Sequence, residues 1–284
     1  MAGDPGRGRL LVVATPIGNL GDLSPRAADA LREADAVAAE DTRRTLKLFS
    51  HMGVRAPPMH SLPAFDERGR LGALLDRLRA GQTVALCTDA GTPGVSDPGA
   101  AAVAAAWEAG ATVIPIPGPS AALSALAASG FAADRFFFAG FLPRKGGARR
   151  EALGALARIP ATLILYEAGN RTQATLRDLA AVLGNRLALV ARELTKLHEQ
   201  LERAPLETLA DRFAGEVLGE VTLVVAPPAE GAIPVVEEAE PLETELRRRL
   251  DAGEPPSALA RDVAKARELK RSDVYDEIER IKRG

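Results

Sequence analysis

The sequence predicts an α/β protein: two sheet-and-helix domains in tandem, followed by a small C-terminal helical appendage. Three observations predict this. Short apolar runs alternate with helical stretches from about residue 9 to residue 226, as in a sheet covered by helices. The loops after several of those runs are long and rich in Gly, Pro, Ser and Thr, and α/β sheets bind ligands at that end of their strands. A Pro- and Glu-rich stretch then separates this region from short segments with helical spacing. A chain of 284 residues has room for two cores.

Residues 1–8 carry no apolar signal core and are expected to be a flexible tail. The first domain is placed at 9–116, with a mostly parallel sheet. Its first strand is the apolar run 9–14, and the turn-rich loop Thr15-Pro16-Ile17-Gly18-Asn19 follows. Ser24-Pro25 opens a helix, serine as N-cap and proline in the first turn. Residues 36–39 form a second strand ending in Glu40-Asp41-Thr42-Arg43-Arg44, ahead of a helix through Leu46 and Phe49. An amphipathic helix over 66–79 is closed by Gly81. The apolar run 83–86 is a buried strand, the alanine-rich run 99–107 a helix and 112–115 a strand.

The second domain is placed at 117–227. Pro117-Gly118-Pro119-Ser120-Ala121 is a turn opening a helix to Ser129, and 135–141, 162–166, 187–191 and 219–226 are strands. A linker over 228–241 leads to a three-helix appendage over 242–284, with Ser257 and Ser272 as N-caps. Its last two helices look like a helix-turn-helix, but their nearly balanced charge suits a protein partner as well as nucleic acid.

Composition narrows the function. The net charge of −2 excludes a surface that is basic all over and leaves room for a local basic patch. A single cysteine excludes an intrachain disulfide and a Cys-cluster metal site, and fits a reducing cytoplasm. Cys87, at the end of a buried run, reads as core. His51, His60 and His198 have no metal-ligand spacing, so no metal is expected. No apolar run is long enough for a membrane span, so no membrane partner is expected. Neither G-x-G-x-x-G nor G-x-x-x-x-G-K-[ST] is present.

The loop Cys87–Gly99 stands out. It holds three glycines, two prolines and two carboxylates where a plain strand-to-helix connection needs only a few residues. Small side chains let a ligand approach the main chain, so this loop is expected to wall a cofactor cleft. Asp97 before Pro98 reads as an N-cap, and Asp89 as a carboxylate that ties down the loop through backbone amides. Ser120 caps a helix whose N-terminus suits a ligand carboxylate. Arg144, Lys145, Arg149 and Arg150 lie on a glycine-bearing loop suited to phosphate contacts, just after Phe136, Phe137, Phe138 and Phe141. Three strands end in clusters mixing acid with base, at Glu40–Arg44, Tyr166–Arg171 and Arg192–Lys196.

Taken in order, these segments resemble the tetrapyrrole methylase superfamily. The resemblance rests on Ala14-Thr15-Pro16-Ile17-Gly18-Asn19-Leu20, Ala39-Glu40-Asp41-Thr42-Arg43, Asp89-Ala90-Gly91-Thr92-Pro93 with Ser96-Asp97-Pro98-Gly99, Pro117-Gly118-Pro119-Ser120-Ala121, Phe141-Leu142-Pro143-Arg144-Lys145, Tyr166-Glu167 and Arg192-Glu193-Leu194-Thr195-Lys196. It implies two α/β domains of that type with S-adenosylmethionine in the cleft between them. The small-molecule branch usually has a glycine-rich first loop and Gly-Asp-Pro in the second. Here those places read Thr-Pro-Ile-Gly-Asn and Gly91-Thr92-Pro93, which favours the branch acting on ribosomal RNA.

The resemblance then implies S-adenosylmethionine-dependent 2′-O-methylation of a cytidine ribose in small-subunit (16S) ribosomal RNA, within the small subunit, by a cytoplasmic homodimer. A tetrapyrrole or other small-molecule methylase is the alternative. The cofactor should touch Pro16, Ile17 and Asp89, the loop at Thr92, Pro93 and Val95, then Ser120, Ala121 and Tyr166, and finally Ala191 and Thr222. Glu40, Asp41, Glu167 and Lys196 are unranked candidates for the proton acceptor. Arg43, Arg144, Lys145, Arg149 and Arg171 are the candidate RNA contacts.

Overall fold

The computed structural model describes residues 7–62, 67–215, 217–229, 242–267 and 270–283. The tail at 1–6, Asp66 and most of the expected linker lie outside those residues. The chain divides into two compact units, Met1–Pro228 and Ala229–Gly284.

The first unit holds two five-stranded sheets. The first is built from β1 (Arg9–Val13), β2 (Ala36–Ala39), β3 (Met59–Ser61), β4 (Thr83–Cys87) and β5 (Thr112–Ile116). Its order is β3-β2-β4-β1-β5, and these five strands pair in parallel. The helices α1 (Pro25–Glu33), α2 (Thr42–His51), α3 (Glu67–Arg79) and α4 (Gly99–Glu108) cover it. Alternation sorts the strand residues onto two faces. Leu11, Val13, Val37, Ala39, Ala85 and Cys87 pack with α1 and α2, while Leu10, Ala36, Ala38, Val84 and Leu86 pack with α3 and α4. This burial on both faces is why these strands read as unbroken apolar runs. Because β4 and β1 are neighbours, their exit loops run side by side, joined by two Thr15–Gly91 backbone hydrogen bonds of 2.9 and 3.0 Å.

The second sheet begins after α5 (Ala121–Ser129), capped by Ser120, whose hydroxyl accepts from the Leu123 amide. It comprises β6 (Phe136–Phe141), β7 (Thr162–Ala168), β8 (Leu187–Arg192), β9 (Gln200–Pro205) and β10 (Glu220–Val225), in the order β6-β7-β10-β8-β9. The parallel pattern of the first sheet is not repeated here. Only β6 and β7 run parallel, because β10 returns between β7 and β8 antiparallel to both, and β9 folds back on β8. The helices α6 (Gly146–Leu156), α7 (Thr172–Leu183) and α8 (Leu206–Arg212) bury one face under a large leucine core. Of these elements α5 alone packs on the other, over Ile164, Leu189, Ala191 and Val224.

The second unit consists of α9 (Leu242–Asp251), α10 (Pro256–Ala266) and α11 (Arg271–Arg283) around Leu246, Leu259, Val263, Val274 and Ile278. Ser257 and Ser272 are not the caps expected. The first lies inside a helix that begins at Pro256, and the hydroxyl of the second bonds the Asp273 carboxylate.

Candidate active site

A cleft of about 400 Å³ lies between the two sheets of the first unit. The loop after β4 forms one wall, and Asp97 shapes it. One carboxylate oxygen accepts from the amides of Gly94 (2.8 Å) and Gly99 (2.7 Å). Pro98, without a side-chain bond, occupies the cap position itself, so Asp97 clamps the loop instead of capping α4 in the expected way. Within the clamped turn Gly94 has φ +88° and Ser96 φ +64°. The hydroxyl of Thr92 donates to the Pro119 carbonyl at 3.2 Å, tying the loop to the turn that opens α5.

Strain concentrates at this cleft. Among the described residues, the non-glycine residues with positive φ are Ser96, Glu193 and Thr195. Ser96 and Glu193 line the cleft, and Thr195 sits between two residues that do. Left-handed backbone at ordinary residues persists only where the surroundings enforce it, and it gathers at binding sites.

Two ionic groups face the cleft from opposite sheets. On the first, Glu40 accepts from the Thr88 hydroxyl (2.6 Å) and the Asp89 amide (3.1 Å). Asp89 accepts from the Asp41 amide at 3.0 Å through Oδ1, and its Oδ2 lies 3.4 Å from Arg44 Nε. Burial, reinforced by the Glu40 charge, pushes the Asp89 carboxyl above its usual range, with Arg44 working against the shift. On the second sheet, Lys196 Nζ bonds Glu193 and Glu220 at 2.8 Å each. Burial alone would lower the lysine's pKa, but these two carboxylates raise it overall, so Lys196 stays a cation. Gly18 and Gly219 permit the close packing here: a Cβ on Gly18 would strike Lys196, and one on Gly219 the Glu193 carboxylate.

The sequence profile of the Tetrapyrrole (Corrin/Porphyrin) Methylases matches residues 9–210. A Synechocystis protein, "Ribosomal RNA small subunit methyltransferase I", is 47% identical over 270 residues, 94% of this chain and 96% of its own. A Mycobacterium tuberculosis H37Rv protein of the same name is 48% identical over 233 residues, 81% of this chain and 80% of its own. The chain belongs to the tetrapyrrole methylase family, with the ribosomal RNA small subunit methyltransferase I proteins. The fold agrees with that of the uroporphyrin III C-methyl transferase from Thermus thermophilus, at a TM-score of 0.54 and 23% identity over 77% of this chain and 97% of that one.

For this member of the tetrapyrrole methylases, the cleft gathers Ile17, Asp89, Thr92, Val95, Ser120, Ala121, Tyr166, Ala191 and Thr222 among the residues expected to touch cofactor. Pro16 and Pro93 are not in its lining. Pro16 is buried, and Pro93 faces a far smaller hollow with Cys87 and Pro98. Of the proton-acceptor candidates, Glu40, Glu167 and Lys196 border the cleft and Asp41 does not. Asp41 caps α2 and is gripped by the Arg43 guanidinium, which holds its carboxyl far below the carboxylate range. Glu167, only 2% exposed, accepts from the Thr175 hydroxyl at 2.6 Å and pairs with Arg171 at 3.1 Å.

The candidate RNA contacts divide in the same way. Arg144 and Lys145 are exposed. Arg149 is not: its guanidinium is buried against Asp178 of α7 at 2.6 Å, which anchors α6 and removes this arginine from the RNA-facing set. Arg171 donates to the carbonyls of Leu142 (3.0 Å) and Pro143 (3.3 Å) and so braces the basic loop from beneath. Arg43 is spent on Asp41. Reasoning from sequence gave no role to Arg44, Glu193 or Glu220. The first two stood in acid–base clusters at strand ends, which was the available signal; Glu220 opens a strand and carried none.

Proposed function

We propose that this chain transfers the methyl group of S-adenosylmethionine to the 2′-hydroxyl of a cytidine in small-subunit (16S) ribosomal RNA. The observation that carries the reading is kinship along 94% of the chain with a protein named for methylating that RNA. The 2′-hydroxyl of cytidine is the acceptor that the family resemblance implies.

The cleft suits the cofactor. Its volume falls in the range of small-molecule sites. Gly91, in left-handed backbone and close to Ile17, gives the cleft a lining without a side chain. The start of α5 at Ser120 and Ala121 offers amides to a carboxylate. Ile17, Val95 and Tyr166 supply apolar and aromatic walls. When bound, S-adenosylmethionine supplies a methyl group already activated by its sulfonium charge, so the protein's work is mainly positioning.

The 2′-hydroxyl must lose its proton, and the surroundings rank the acceptors. Asp41 is too acidic, Lys196 is protonated, and Glu167 is satisfied by Arg171 and Thr175. Glu40 already accepts two bonds that set the β4 exit. Asp89 combines a place in the cleft, a raised pKa and an Oδ2 that meets Arg44 at 3.4 Å. It takes the proton at Oδ2, and Arg44 steadies the charge.

The protein acts as a homodimer. Phe136, Leu187 and Leu201 are exposed beside α5 on the face that this helix covers only in part, a surface suited to a second copy. Among the described residues no helix is long and apolar enough to cross a membrane, and no group of side chains is arranged to hold a metal ion. A ribosomal acceptor calls for a cytoplasmic location.

The test is incubation with methyl-labelled S-adenosylmethionine and either small subunits lacking the methyl mark or a porphyrinoid. Label recovered as 2′-O-methylcytidine from the RNA is the expected result. Label in the porphyrinoid alone would favour the small-molecule alternative.

A further inference from the structure

We propose that Phe141 is the stacking platform for an unpaired nucleobase of the RNA acceptor at the rim of the cleft. The inference rests on the ribosomal RNA reading and adds the form in which the substrate is held.

Phe141 lines the cleft and yet is 59% exposed. Its position results from a break in the strand. In β6, Phe136 and Phe138 pair with Thr162 and Ile164 of β7 and so share a face with Tyr166. Continued alternation would place Gly140 next on that face. Instead the register shifts between Phe138 and Gly140, with Gly140 at φ +62°, so that Phe141 pairs with Tyr166. A bulge of this kind re-aims a side chain, and bulges gather beside functional sites. Here it replaces a residue with no side chain by an aromatic ring.

The ring is held on one side and open on the other. Its centroid lies 5.6 Å from that of Tyr166 at 60°, and Tyr166 is held edge-on by Phe138 at 4.8 Å and 70°. A Cβ on Gly140 would sit 3.3 Å from the Ser96 hydroxyl, so the bulge packs against the loop after β4. The chain then passes through Leu142 and Pro143, held by Arg171, to exposed Arg144 and Lys145. An open aromatic face adjoining a braced basic loop is what single-stranded nucleic acid requires: stacking for a base and charge for its backbone. A mostly exposed ring suits a base arriving from solvent better than the adenine of an enclosed cofactor.

The test uses the full chain carrying Phe141→Ala, Phe141→Leu or Phe141→Trp, assayed on small subunits from cells lacking the mark. Phe141→Ala is expected to raise KM for subunits about 5- to 150-fold. Affinity for S-adenosylhomocysteine by calorimetry should stay within about twofold. Phe141→Trp should restore KM, and Phe141→Leu should not. In a Trp107→Phe background, the fluorescence of the new tryptophan should be quenched by a cytidine oligonucleotide and not by S-adenosylhomocysteine. An unchanged KM in Phe141→Ala, full rescue by leucine, or quenching by S-adenosylhomocysteine alone would overturn the stacking role. If the unaltered protein methylates subunits while any of these holds, only the stacking role falls. If it transfers no methyl group to them, the RNA reading falls and this inference with it.

Discussion

Truncating Arg149 to alanine should cost stability and spare RNA binding. The guanidinium, 8% exposed, reaches Asp178 through Nε at 2.7 Å and Nη2 at 2.6 Å. Its removal leaves a carboxylate that is 14% exposed, with Arg150 3.3 Å away. Breaking a buried pair from one side costs about 3–5 kcal/mol, because the surviving charge stays desolvated. Arg150 is more than half exposed and compensates in part, which places the cost near about 3 kcal/mol. For a folded unit of this size each kcal/mol lowers Tm by roughly 2–4 °C, so a fall of about 6–12 °C is expected. Scanning calorimetry measures it, and filter binding to small subunits below the transition should show affinity within about twofold of the parent. A Tm shift under about 2 °C with a clear loss of RNA affinity would refute the buried-pair account and return Arg149 to the RNA surface.

Asp89→Asn should lower kcat on small subunits by about 10²- to 10⁴-fold in a protein that still melts cooperatively. Because burial and Glu40 raise the Asp89 pKa, against opposition from Arg44, and Asp41 and Arg43 also bear on it, the parent should lose activity as pH falls through a value above the ordinary carboxylate range. That acidic limb should vanish in the asparagine variant; its persistence at full rate would count against Asp89. Arg144→Ala with Lys145→Ala should weaken subunit binding and reduce its salt dependence by about one to two in slope, without altering cofactor affinity. Equal loss of both affinities would contradict the basic-loop assignment. Ser120→Tyr should abolish cofactor uptake in a protein that still melts cooperatively, by filling the cleft at the start of α5; unchanged calorimetric affinity would remove that helix from the site.

Much of the first sheet was legible because its strands are buried on both faces and keep no polar alternation, as in 36–39 and 83–87. The caps at Ser24 and Ser120 were legible because N-cap chemistry is local. The strand β9 was not: Gln-Leu-Glu-Arg-Ala-Pro is a polar edge strand whose pairing with β8 supplies what its composition does not. The antiparallel return of β10 depends on contacts between strands far apart in sequence, which periodicity does not encode. In the site, the loop at 88–97 announced itself through small residues, but its anchors are distant. Asp89 is held by Asp41, 48 residues away, and Arg149 by Asp178, 29 residues away. Adjacency in sequence placed Arg149 with Arg144 and Lys145; the helix turn buries it instead. The bulge at Gly140 that presents Phe141 is equally silent in composition.

On the function proposed above, a methyl donor is gripped between the two sheets by main chain and a helix start. The most direct measurement is a crystal structure of the protein with S-adenosylhomocysteine. Density is expected between the loop at Thr92–Val95 and the strand ends at Tyr166, Ala191 and Thr222, with the ligand carboxylate at the Ser120–Ala121 amides. Ligand in another hollow, with this one left to solvent, would contradict it.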